Sequence, residues 1–392
     1  MDTGGITFTF AAIFLGAAAL ASAALYTRQP IIIAYIALGA LLGPYGGGVI
    51  TNVQLVADAG HVGIIFLLFL LGLDMQPSAL LSSLRASSLV AVISSIAFAG
   101  VGLGVATSFG FSLSDSIVIG AALMFSSTII GIKLLPTTVL HHKHLGEVLI
   151  ALLLFQDLIA IVLLVILQSA GGELAANLDV MIMLQPLALL PVVGALCWLS
   201  VRFALLPLIR RFDRYHEYIF LLSIGWCLGV AEVAALVGLS AEIGAFIAGV
   251  SVATSPIAQY IAISLKPLRD FFLVIFFFSV GAQFDLSTLP TVIWASITLA
   301  LALLALKPLI YHGLLRRVSE SHSLAWNLGF RLGQCSEFAL LIGVVAVEAG
   351  ALSQQGNTLI QATTIITLLL SSYIVVFNFP TPIAIKESLR RD

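Results

Sequence analysis

Residues Leu152 to Leu164 read LLLFQDLIAIVLL, an apolar run interrupted only by an amide and a carboxylate, Gln156 and Asp157. A helix rises about 1.5 Å per residue, so roughly 20 apolar residues cross the hydrocarbon of a bilayer. A span over about 147–168 therefore holds Asp157 near its middle. A bare carboxylate there costs on the order of 3 kcal/mol or more, and such residues face a partner, a cavity or an ion path. Two readings follow: a permanently protonated acid paired with a neighbouring helix, or an acid that trades its proton for a cation. The second is the working reading.

Composition narrows the class. Of 392 residues 60% are hydrophobic and only 9% charged, which excludes an ordinary soluble domain and leaves an all-α polytopic membrane protein in contact with the lipid bilayer. The net charge of -2, with no basic run longer than Arg210-Arg211, provides no surface for a nucleic-acid backbone, so no nucleic-acid partner is expected. Cys197, Cys227 and Cys335 lie apart in apolar segments and read as small buried hydrophobes. No nucleophile, metal-ligand cluster or phosphate loop supports an enzyme, and no cofactor is expected.

Apolar windows fall at about 6–26, 31–50, 59–76, 87–108, 116–135, 147–168, 182–205, 218–237, 241–263, 271–283, 291–314, 323–348 and 358–379, about 13 transmembrane spans. The first has an acidic flank and no obvious cleavage site, so it reads as a retained span rather than a signal peptide. Alternate loops test the scheme. One set collects Arg28, Arg85, Lys133, Lys143, Arg202, Arg210, Arg211, Arg214, Lys266, Arg269, Arg316, Arg317, Lys386, Arg390 and Arg391. The opposite loops, near Asn52, Ser108, Gly171, Gly238, Asp285 and Ser353, hold none. The positive-inside rule then puts the N-terminus outside and the C-terminus in the cytoplasm of a plasma or inner membrane. Only Lys307 and Arg331 remain within spans.

A repeat underlies this order. Tyr35-Ile36-Ala37-Leu38-Gly39 resembles Phe246-Ile247-Ala248-Gly249, and FLLFLLGLDMQPSALL from Phe66 aligns loosely with VIFFFSVGAQFDLSTL from Val274. An offset of about seven spans inverts the second copy in the membrane, the pattern of inverted-topology transporters with a midplane site between repeats. The fifth and twelfth spans are then equivalent, and both carry polar breaks: Ser126-Ser127-Thr128 in one, Gly333-Gln334-Cys335-Ser336-Glu337 in the other. Two crossed broken helices expose backbone dipoles and hydroxyls at midplane, where they hold a cation or cap a charged site. Hydroxyl glue between helices is the plainer alternative for Ser126, Ser127 and Thr128. Lys307, followed by Pro308, is expected inside the fold, pairing with Asp157 when no ion is bound or steadying the broken helix ends. Arg331 and Glu337 are expected to form an interior pair, Glu232 and Glu242 a solvated external rim, and His141, His142 and His144 a solvated cytoplasmic turn able to sense pH.

Together LLLFQDLIAIVLL at Leu152, SSTII at Ser126, SAEIGAFIAGV at Ser240, FFFSVGAQFDL at Phe276 and GQCSEFALL at Gly333 carry a resemblance to the Kef-type potassium:proton antiporters of the cation:proton antiporter superfamily, over essentially the whole chain. The resemblance implies an NhaA-like antiporter fold and a homodimer. It implies a scaffold of spans at about 6–76 and 218–283, a transport core at about 87–168 and 291–379 moving as an elevator, and a linking helix at 182–205. It also implies that the Gln-Asp pair belongs to a potassium-linked branch. The chain departs from it twice. No nucleotide-binding regulatory domain follows, so residues 1–392 form one transport domain, truncated or served by a separate cytoplasmic regulatory subunit. The segment SPIAQYIAISLKPLRD carries no carboxylate before Asp270, which argues against glutathione-linked gating.

These readings combine into one mechanism. Asp157, with Gln156, Ser126, Ser127 and Thr128 around it, binds one proton or one monovalent cation, and only the neutralised site crosses the barrier. Asp157 and Gln156 are the expected metal-ion ligands, with Lys307, Glu337 and Arg331 stabilising the site. Potassium exchange for protons is the expected activity. Sodium exchange, or a cation channel using the same crossing as a pore, are the alternatives; a bile-acid-type sodium symporter lacks an evident organic-substrate pocket.

Overall fold

The computed structural model describes residues 5–27, 29–50, 53–74, 77–128, 131, 144–170, 180–212 and 214–381. Its described elements are helices: α1 (Ile6–Tyr26), α2 (Ile31–Leu42), α3 (Val53–Asp74), α4 (Pro77–Ser108), α5 (Leu113–Leu123), α6 (His144–Ala170) and α7 (Val180–Ser200). A π-helical turn, Val201–Leu205, leads into α8 (Leu206–Arg211), followed by α9 (His216–Leu236), α10 (Ala241–Ala253) and α11 (Ala258–Ala282). The chain continues through α12 (Leu289–Arg317), α13 (His322–Arg331), α14 (Glu337–Glu348) and α15 (Gln354–Asn378). Eight of the described helices are long and apolar enough to cross a membrane, and the chain is a multi-pass membrane protein.

Close backbone contact reveals the inverted repeat. A Cβ on Gly39 of α2 would strike the Phe278 carbonyl of α11, and one on Gly281 of α11 would strike the Ile36 carbonyl of α2. The matching pair is Gly72 of α3 against the Phe246 carbonyl of α10, and Gly249 of α10 against the Phe69 carbonyl of α3. Gly39 and Gly249 end the two similar small-residue runs, and Gly72 and Gly281 fall in the two aligned apolar copies. Exchanging the copies therefore exchanges one contact for the other, as a pseudo-twofold requires. Glycine serves here because association within lipid relies on van der Waals contact, which grows as backbones approach.

The remaining helices gather around the two interruptions. Helices α4, α5, α6, α12, α13, α14 and α15 pack on one another, while α1, α2, α3, α9, α10 and α11 form the other set. Helix α7 touches α10 on one side and α6 on the other, so the connecting helix lies against both sets. On the face of Ser353, the Asp115 carboxylate of α5 accepts the Ser353 N–H at 2.8 Å and the Ser353 hydroxyl at 2.7 Å, tying the start of α5 to the cap of α15.

Several boundaries differ from the sequence reading: α4 begins at Pro77 rather than near 87, and α3 at Val53 rather than near 59. The division expected between 263 and 271, at the charged KPLR, lies instead at Ser255-Pro256, with Pro267 inside α11. Proline restrains the residue before it and terminates helices locally, whereas Lys266 and Arg269 sit on an accessible turn where long side chains reach polar surroundings without breaking the helix. The second span ends as a helix at Leu42, because Gly43 and Gly46 to Gly48 favour turns over helix. The fifth and twelfth spans are interrupted as expected, with Phe125 to Ser127 and Gly333 to Ser336 lying between or beyond the helical stretches. Residues 132–143, including His141 and His142, lie outside the described residues.

Candidate functional site

The two interruptions touch. The Ser126 hydroxyl donates to the Leu332 carbonyl at 2.8 Å, so the breaks are directly joined across 206 residues of chain. Unwound backbone must find donors elsewhere, and one side chain supplies both copies. The Lys307 ammonium, fully buried on α12, donates to the Phe125 carbonyl at 2.8 Å and to the Gln334 carbonyl at 3.1 Å, one from each break. Its charge also sits 5.1 Å from the centre of the Phe98 ring.

Around this clasp further polar groups find partners. The Gln156 carbonyl accepts the Ser126 N–H at 3.1 Å, and its NH2 donates to the Tyr311 hydroxyl at 2.8 Å. On the second break the Cys335 N–H donates to the Thr367 hydroxyl at 3.1 Å, and the Ser371 hydroxyl to the Gln334 side-chain carbonyl at 2.8 Å. Ser336 caps α14 by accepting the Phe338 N–H at 3.1 Å, so the positive end of that helix starts at the crossing.

Asp157 lies beside this assembly on α6, 1% exposed. Its described hydrogen-bond donor is the Thr128 hydroxyl, 3.4 Å from Oδ1 and 3.2 Å from Oδ2. Glu337, at the start of α14, is within electrostatic range. Among the described residues Asp157 has no cationic partner within ion-pair distance. A carboxylate so enclosed, with a neutral hydroxyl at its edge and a second acid nearby, is neutralised by whatever cation or proton reaches it.

The expected site residues thus separate. Asp157, Gln156, Ser126, Thr128 and Lys307 meet at the crossing, with Ser127 buried among them. Arg331 and Glu337 lie on opposite sides of the second break. Arg331 donates to the Asn327 side-chain carbonyl and to the Pro380 carbonyl, each at 2.6 Å, and no Arg331–Glu337 ion pair occurs among the described contacts. Of the residues read as a rim, Glu232 is exposed, whereas Glu242 is 4% exposed and 3.5 Å from the ring of His61. Burial is possible there because a neighbouring helix brings a basic ring to it. His144 pairs with Glu320 at 2.8 Å rather than standing free.

Tyr311 is the residue that sequence reasoning missed. It is fully buried, accepts from Gln156, and lies 3.4 Å from the Ser126 hydroxyl. The signal was present, since Tyr311 follows Lys307 by one helical turn and so shares its face. The buried hydroxyls of α15, including Thr367 and Ser371, likewise lie in a span to which the sequence reading assigns no site residue.

A separate cleft of about 110 Å³ opens between the two helix sets, lined by His61, Ser279 and Gln283 on one side and Leu341, Val345 and Glu348 on the other.

Comparison with known proteins agrees with this architecture. The chain is 29% identical over 370 residues to the iron transporter MagA of Paramagnetospirillum magneticum, covering 93% of this chain and 84% of that one. It is 28% identical over 359 residues to K(+) efflux antiporter 5 of Arabidopsis thaliana, covering 87% of this chain and 61% of the relative. The fold matches the sodium proton antiporter MjNhaP1 from Methanocaldococcus jannaschii at pH 8 with a TM-score of 0.69 and 18% identity, over 94% of this chain and 95% of that one. The family described as sodium/hydrogen exchanger, transmembrane, matches residues 10–378, and the chain belongs to it as a member of the cation:proton antiporter superfamily with Kef-like relatives.

Proposed function

We propose that this antiporter exchanges potassium for protons, with Asp157 taking either cargo in turn. The observation that carries the reading is the division of charge at the crossing. Lys307 is committed to the Phe125 and Gln334 carbonyls, so its charge stays with the broken backbone and Asp157 remains open to an exchangeable partner. Thr128, Ser127, Ser126 and the second lone pair of the Gln156 carbonyl offer neutral oxygens, which suit a weakly hydrated monovalent ion. The potassium-linked name of one relative supports potassium; the sodium-linked name of a structural neighbour makes sodium the alternative.

Coupling follows from electrostatics. A bare carboxylate meets a desolvation penalty in crossing the barrier, whereas a protonated or metal-occupied one does not. We assign the movement to an elevator: the spans at about 87–168 and 291–379 slide past a homodimeric scaffold at about 6–76 and 218–283, linked by 182–205. We assign the N-terminus to the outside and the C-terminus to the cytoplasm of the plasma membrane. Provided Lys307 keeps its proton through the cycle, Asp157 is the one titrating charge and exchange is one for one and electroneutral.

The test is a proteoliposome assay with a lumenal pH dye and potassium, sodium or ferrous gradients, comparing the native chain with Asp157→Asn. The reading expects cation-driven pH change that falls at least about 100-fold in the variant, as loss of the sole exchangeable charge requires. Conductance without proton coupling would instead establish a channel. A reversal potential that moves with membrane voltage would refute the one-for-one stoichiometry.

A further inference from the structure

A cavity of about 570 Å³ lies away from the crossing, where the ends of α3 and α10 meet the first turns of α11. Its lining mixes apolar residues, among them Leu73 and Ile263, with the polar Ser255, Gln259, Lys266 and Arg269. Gln259, Ile263 and Lys266 recur at helical spacing, so they share one face of α11. That face carries an amide at Gln259, exposed aliphatic surface at Ile263 and a cation at Lys266.

Four features distinguish the cavity from an ordinary interfacial lysine. Lys266 has no acidic partner among the described residues. Arg269 gives its Nε and one Nη2 hydrogen to Asp270 Oδ1, at 3.0 and 2.7 Å, and keeps further N–H donors. At its edge, the Ser255 hydroxyl oxygen is shut off from solvent and has no hydrogen-bond partner, which is unfavourable for a polar atom. Helix α11 also begins without a side-chain cap, so its positive end adds to the same wall. Unpaired positive charge, an orphan hydroxyl and an aliphatic flank are together complementary to a phosphate carried on an apolar or soluble body.

We propose that this cavity binds a phosphate-bearing anion, its phosphate held by Lys266, Ser255 and Gln259. The shared chemistry admits two sources: the headgroup of an anionic phospholipid with its chain over Ile263 and Leu73, or a soluble phosphorylated molecule. Basic pockets between membrane helices bind anionic headgroups by the same physics. The site is independent of the ion crossing.

The full chain is purified in neutral detergent and probed by native mass spectrometry and thermal unfolding. The probes are phosphatidylglycerol, phosphatidylcholine with the same chains, and inorganic phosphate against chloride at equal ionic strength. Phosphatidylglycerol should remain bound to the native chain and to Lys266→Arg, with occupancy about fivefold lower in Lys266→Gln, the effect of about 1 kcal/mol per cation. Ser255→Ala, which leaves the surface charge intact, should also weaken binding. Inorganic phosphate raising the unfolding midpoint as much as the lipid, with the same dependence on Lys266, upholds the site and assigns a soluble source. Equal occupancy in the native chain and Lys266→Gln, equal binding of phosphatidylcholine, or no response to any probe overturns it. Asp157→Asn should bind phosphatidylglycerol normally, so loss of exchange and loss of this site are separable.

Discussion

Lys307 brings a charge into the interior and commits it to two carbonyls rather than to an acid. Replacing it with Met leaves the Phe125 and Gln334 carbonyls without that donor, at about 1–3 kcal/mol each. We expect Lys307→Met to lose about 2–5 kcal/mol of stability, seen as a lower thermal unfolding midpoint in detergent. Lys307→Arg should not restore it, since a planar fork does not replace a compact ammonium between two carbonyls. Tyr311→Phe is the finer probe. It removes the acceptor of the Gln156 NH2, and about 1–2 kcal/mol of ordering at the crossing should go with it. The measurement is the apparent cation affinity in proteoliposomes, expected to weaken several-fold; unchanged affinity would make Tyr311 packing alone. Asp157 and Lys307 were legible in the sequence because charge inside an apolar span is conspicuous. Tyr311 was not, because a tyrosine in such a span looks ordinary until its hydroxyl has a partner.

At the scale of the element, glycine decides which helices meet. Gly249→Val drives side-chain atoms into the Phe69 carbonyl of α3 and should cost about 3 kcal/mol or more through overpacking and separation of α3 from α10. Gly313→Ala is the control: a Cβ added there meets no atom within 4 Å, and helix propensity alone should make the change neutral or up to about 1 kcal/mol stabilising. Unfolding midpoints of the two variants should therefore move in opposite senses or differ widely. The repeat that pairs these glycines was visible as two loose alignments. Which copy touched which was not, since alignment reports similarity and contact depends on how the copies cross. The misplaced boundary in 241–283 has a similar cause: KPLR looks like a loop by charge, yet a helix accommodates it wherever one face reaches polar surroundings.

For the whole molecule the question is whether the two helix sets move against each other. Ser279 of α11 and Val345 of α14 line the same cleft from opposite sides. Cysteines at both positions, bridged by oxidation, should abolish exchange and recover it on reduction, while each single variant transports normally. The native Cys197, Cys227 and Cys335 are all buried, which keeps the background of unwanted bridges low. Full exchange in the bridged protein would exclude sliding at this cleft.

The sequence by itself determined that the chain crosses a membrane many times, that two spans are interrupted, and that one acid lies where an acid is costly. Each of these is a local property, set by hydrophobicity, by helix-breaking and hydroxyl residues, and by the position of a charge along a span. Only the tertiary structure decided that Lys307 serves two backbone breaks while Asp157 is left to Thr128, that Gln156 is held at both ends, and that Glu242 is buried against His61. Those outcomes depend on groups far apart in the chain competing for the same partners. The winner is set by distance and geometry, which one-dimensional order does not contain.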